Sequence, residues 1–117
     1  MATTDLSIHK AAYDLAVFAN NVTANYRKEY KFTIGSKLVD YTLRVLMYIH
    51  HANNDKSKRV GVLDNMLMLL EEITILFRIS KDLKLINVEK LAKSIELIDN
   101  IKRQAIGWKN HQIRQAA

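Results

Sequence analysis

The sequence predicts an all-α protein, folded as an antiparallel up-down-up-down four-helix bundle. Three observations predict it. The 117 residues contain no proline and only three glycines, so little in the chain interrupts a helix. Apolar residues recur at i, i+3, i+4 and i+7 in four successive segments, the pattern of helices with one face turned to a core. Short polar stretches separate these segments, and short connections make sequential helices antiparallel neighbours. The length suits one domain with a sizeable core, spanning residues 1–117.

The first helix is read from about Leu6 to Tyr26, with Leu6, Tyr13, Ala16, Val17 and Val22 among its inward candidates. A polar connection follows at Arg27-Lys28-Glu29-Tyr30-Lys31. Thr33 is the N-cap candidate for the second helix, which runs to about Ala52 with Leu38, Tyr41, Val45, Leu46 and Ile49 at helical spacing. Asn53 to Lys58 is polar and rich in turn formers, and reads as a loop. The third helix spans about Lys58 to Leu83. Asn87 caps the fourth, with Glu89 in its first turn, and Val88, Leu91, Ile95, Ile98, Ala105 and Trp108 carry its stripe to about Ile113. Gln115-Ala116-Ala117 is expected to fray.

The third helix is apolar on more than one face. Leu63, Met66, Leu67, Leu70, Ile73 and Phe77 form one stripe, yet Met68, Leu69, Ile75, Leu76 and Ile79 fall elsewhere. A small domain has nothing of its own to cover them, so these five are the candidate oligomer interface.

Chemistry is scarce. The absence of cysteine rules out disulfides and thiolates, and suits a cytoplasmic protein. The N-terminus lacks the order of a signal peptide, and Asp64, Glu71 and Glu72 interrupt the best membrane candidate, so a soluble protein is expected. His9, His50, His51 and His111 are scattered, with no Glu-x-x-His pair to build a dimetal site. Glu71 and Glu72 diverge by about 100° on a helix and cannot share a substrate. Gly35-Ser36-Lys37 lacks the rest of a phosphate loop. No catalytic residues, metal or cofactor are expected, and the chain reads as a non-enzyme.

The net charge of +6 speaks to polyanionic partners. Several cations have helical acidic partners: Asp40 with Arg44, Glu89 with Lys93, and Asp99 with Lys102 and Arg103. Arg27, Lys28 and Lys31 have only Glu29 beside them; Lys56, Lys58 and Arg59 have only Asp55. Antiparallel geometry brings Lys56, Lys58, Arg59, Lys109 and Arg114 to one end, where they form a candidate nucleic-acid rim. Its rival is a solvated rim with no ligand.

Four segments resemble a bacterial four-helix-bundle group: Tyr30-Lys31-Phe32-Thr33-Ile34-Gly35-Ser36-Lys37-Leu38, Ile49-His50-His51-Ala52-Asn53-Asn54, Leu76-Phe77-Arg78-Ile79-Ser80-Lys81-Asp82-Leu83 and Ile106-Gly107-Trp108. The group holds the accessory variability determinant (Avd) proteins of diversity-generating retroelements, with relatives encoded in 23S rRNA intervening sequences. The Ser-Ile-Pro-x-Asn-Ile-Ala-Glu-Gly stretch of that second branch is absent, which favours the Avd-like branch. The resemblance implies a homopentameric barrel with a basic surface. Such a protein associates with a reverse transcriptase and with RNA or DNA, and supports mutagenic cDNA synthesis without catalysis of its own. It places Arg78 and Lys81 at the basic positions of the third helix, and Lys37 at the one following Gly35. Lys102, Arg103, Lys109 and Arg114, with no acid among them from Lys102 onward, complete the candidate contacts. The alternative is a structural or protein-interaction bundle of the intervening-sequence type, with no reverse transcriptase partner.

Overall fold

The structure is a computed structural model and describes residues 2–116. Its four helices are α1 (Ser7–Thr23), α2 (Ser36–Asn54), α3 (Arg59–Asp82) and α4 (Val88–Ala116). Each packs on its neighbour in sequence, and α1 closes the square against α4. The result is a rod of 49 × 20 × 20 Å. None of its helices is long and apolar enough to cross a membrane among the described residues.

The first two connections are more helical than the sequence suggests, and α1 ends at Thr23 rather than near Tyr26. Thr23 ends α1 with its hydroxyl donating to Ala19 O at 2.7 Å. The chain then turns at Arg27 into one α turn, Lys28–Tyr30, and a π turn, Lys31–Gly35, which runs straight into α2. Thr33 is therefore no N-cap; its hydroxyl donates backward to Glu29 O at 3.2 Å, inside helix already under way. Likewise α2 continues through Asn54, and only Asp55 separates it from a short 3-10 turn, Lys56–Lys58, that leads into α3. The Ser57 hydroxyl donates to Asp55 at 2.7 Å and holds that carboxyl below its ordinary range.

The end of α3 is closed by a Schellman turn. Lys84 stands in the left-handed region at φ 63°, and Leu85 N donates to Ser80 O at 2.8 Å. Asn87 caps α4 as its sequence predicts, accepting from Lys90 N at 2.8 Å. Gln115 and Ala116 stay helical, so the fraying expected there is not seen; Ala117 lies outside the described residues.

Leu15, Leu38, Ile49, Leu63, Leu70, Ile73, Phe77, Ile98 and Ile101 are fully buried along the axis. Leu69 joins them, which corrects its place in the candidate interface. A helix at the corner of a square touches two neighbours, so its buried arc is wider than one stripe and takes in Leu69. Tyr13 and Val17, inward candidates by their spacing on α1, are both exposed, with Ala12, Leu15 and Ala19 taking the core.

Buried hydroxyls of Thr23, Thr42, Ser80 and Ser94 each donate to a carbonyl of their own helix. Tyr26 is the exception, because its buried hydroxyl has no hydrogen-bond partner among the described residues. Ser80 lies beside it, but the serine proton is committed to Leu76 O. Burial pushes the Tyr26 phenol above its ordinary value, and Ser80 offsets this only in part. The Tyr26→Phe variant is accordingly expected to match the wild type or exceed it by about 1 kcal/mol, since it deletes an unsatisfied group. Because burial disfavours the phenolate, folding carries no ionisation cost below about pH 10, and stability is lost as the pH climbs from there through the raised folded-state value. Urea unfolding at pH 8 and pH 11 checks this: the tyrosine protein loses stability at the higher pH by more than the phenylalanine variant. Equal losses would show that Tyr26 does not titrate with unfolding.

Candidate nucleic-acid interface

Two predicted contacts are drawn into ion pairs across the α3–α4 groove. Lys109 Nζ lies 2.6 Å from Asp64 Oδ1, and Lys102 pairs with Glu71. Both helices advance seven residues between these rungs, in opposite directions, which fixes their antiparallel register. Lys102 is therefore not paired with Asp99, and neither lysine is a free cation. Two other local pairings divide: Asp40–Arg44 forms at 3.0 Å, whereas Lys93 takes Glu96 at 3.6 Å instead of Glu89.

Arg59 is likewise committed. Its guanidinium donates to Ala52 O at 2.7 Å, Asn53 O at 3.3 Å and Gln112 Oε1 at 2.9 Å. The group also lies 5.2 Å from the centre of the Trp108 ring. It satisfies carbonyls that the end of α2 leaves without amide partners and ties that end to α4. The rim expected from Lys56, Lys58, Arg59, Lys109 and Arg114 thus loses Arg59 and Lys109. What remains there is Lys56, Lys58 and Arg114, with Asp5 and Asp55 as neighbours at the same end. Arg103 stands exposed midway along α4.

The opposite end keeps more of its charge. Lys28, Lys31, Lys84 and Lys90 are exposed there and form no ion pair among the described residues; Lys37 and Arg78 stand one turn further in, also unpaired. Of the nearby acids, Glu29 is taken by Arg27 and Asp82 lies 4.0 Å from Lys81, leaving Glu89 and, in the groove beside Lys37, Glu72. Lys84 holds a backbone conformation that favours glycine, yet carries a cation to the tip of the bundle. Six unpaired cations against two unpaired acids, Glu72 and Glu89, leave this end with an excess of positive charge among the described residues. Lys84 and Lys90 escape the sequence reading because nothing local sets them apart from paired lysines.

A model of the bAvd-like protein family matches residues 6–112. The chain belongs to the bAvd-like family. No curated protein and no solved structure matches it. The matched span includes every segment on which the Avd-like resemblance rests, and Lys37 and Arg78, carried over from that resemblance, are among the unpaired cations.

The apolar surface is also redistributed. Met68, Ile75 and Ile79 stay exposed on the outer side of α3, at 67%, 55% and 39%. Leu76 is half-buried against the core and lines a shallow groove with Lys37, Tyr41, Glu72 and Ile75. Phe32 and Met47, at 71% and 68%, are as exposed as any residue of the α3 stripe, although periodicity alone does not single them out. Among the described residues, no group of three His, Asp or Glu side chains converges as metal ligands.

Proposed function

We propose that this protein is a non-catalytic accessory protein of a diversity-generating retroelement. It assembles into a basic homo-oligomer, a pentameric barrel, that holds nucleic acid and docks a reverse transcriptase in the cytoplasm. Family membership supports the accessory role. The observation that carries the nucleic-acid part is the concentration of unpaired cations where the α1–α2 and α3–α4 connections meet. Phosphates bound by these lysines displace condensed counterions, so binding must weaken as salt rises. Around a ring, each copy repeats the same cations and multiplies the field.

Titration of RNA and DNA at two salt concentrations tests the reading. The combined variant Lys28→Gln, Lys31→Gln, Lys84→Gln, Lys90→Gln is expected to flatten the slope of log K against log salt by about 3 to 4 units, at roughly 0.7–0.9 for each phosphate that is no longer neutralised. The Lys56→Gln, Lys58→Gln, Arg114→Gln set flattens it less for each charge removed. Equal slopes for the wild type and the first variant would remove this end as the interface. Exposed Met47, Met68 and Phe32 favour a second reading, a protein-interaction bundle whose charge is incidental. Salt-independent capture of a protein partner, with no affinity for RNA or DNA, would select it.

A further inference from the structure

We propose that Phe32 is a stacking platform for an unpaired base, so that the basic end takes single-stranded nucleic acid. This rests on the nucleic-acid reading above and goes further, by naming the strand form and the residue that selects it. Phe32 is 71% exposed, more than any other large apolar side chain among the described residues. It belongs to the π turn Lys31–Gly35, a local departure from α geometry of the kind found at functional sites. The turn sets Phe32 on a ridge between two open clefts. One, of about 500 Å³, is also lined by Lys31, Asn20 and Ser36; the other, of about 580 Å³, by Lys37, Thr33 and Ser36. Lys28 stands one turn before the ring.

An aromatic side chain flanked by cations on two sides is what a flexible strand needs. The ammonium groups follow the phosphates, and the ring face accepts any base without reading its edge. Asp40 borders both clefts, but Arg44 lies 3.0 Å from it and offsets its charge. Glu29 is engaged by Arg27. A duplex offers no open base face, so the ring adds nothing to duplex affinity.

Fluorescence anisotropy with labelled oligo(U), oligo(dT) and a duplex of equal length tests the proposal on the full chain. Phe32→Ala is expected to weaken both single strands by about 5- to 100-fold and to leave the duplex within about twofold, as removal of one base stack predicts. Phe32→Tyr keeps the single-strand affinity; Phe32→Leu loses it as alanine does, although it remains apolar. Wild-type affinity in the leucine variant, or an equal loss on the duplex, would overturn stacking. So would a change of oligomer mass in Phe32→Ala, which would make the residue a protein contact. If the wild type binds strands with full salt dependence but ignores every Phe32 change, the stacking proposal falls and the nucleic-acid reading stands. If it binds none of the three probes, both fall.

Discussion

Phe77→Ala is expected to destabilise the bundle by about 3–5 kcal/mol, the cost of deleting a large buried ring and leaving a cavity. The ring is wholly inaccessible and meets Phe18 across the core at a centroid distance of 5.8 Å, tilted by 51°. That geometry is an aromatic contact with its own contribution beyond area. A loss of this size consumes a large part of the ~5–15 kcal/mol that holds a domain folded. Thermal unfolding followed by circular dichroism should show a fall in Tm of roughly 10–30 °C. It should be measured at several protein concentrations, because self-association stabilises the folded state by mass action. A variant within about 1 kcal/mol of the wild type would mean that the core around α3 collapses onto the vacancy.

The second large effect is on assembly. The double variant Met68→Glu, Ile75→Glu places two carboxylates on the outer stripe of α3, where both native side chains are exposed in the single chain. Its helicity should equal that of the wild type, since neither position packs in the core. If the proposed ring buries this stripe, the dissociation constant should rise about 30-fold or more for each apolar anchor removed, a cost of about 2 kcal/mol apiece. Light scattering after size exclusion should then record a shift to the single chain. An unchanged mass would place the contact between copies elsewhere, with exposed Met47 and Ile106 on other faces as the next positions to change.

The helices are legible in the sequence because periodicity is a local property of each segment and nothing in the chain interrupts it. The cap at Asn87 is legible for the same reason, since donor and acceptor lie three residues apart. What escapes is set by neighbours distant in sequence. Asp64 and Glu71 find Lys109 and Lys102 only once the α3–α4 register exists, so the i, i+3 and i, i+4 spacing points Lys102 to the wrong partner. Arg59 looks like a loop cation until the end of α2, Gln112 and Trp108 surround it. Leu69 reads as outward when one stripe is allotted to a helix that in fact meets two neighbours. The helical turn Lys28–Tyr30 reads as a connection because its run of charge masks its continuity, through the π turn, with α2. The candidate interface therefore shifts from one end of the rod toward the other, while the fold it stands on does not change.

The rungs that join α3 to α4 carry a consequence for handedness. A straight α-helix has 3.6 residues per turn, so positions seven apart drift by about 20° around its axis. Glu71 and Asp64 are seven apart, and so are the lysines that meet them, a spacing that a slight left-handed coil keeps in register. Met68 and Ile75 are also seven apart, on the outer side of the same helix. A neighbouring helix packed along that seven-residue spacing would lie inclined to α3 by about 20°. Copies joined through that stripe would lean like the staves of a twisted barrel, and the positive tips of the rods would be displaced sideways around its mouth.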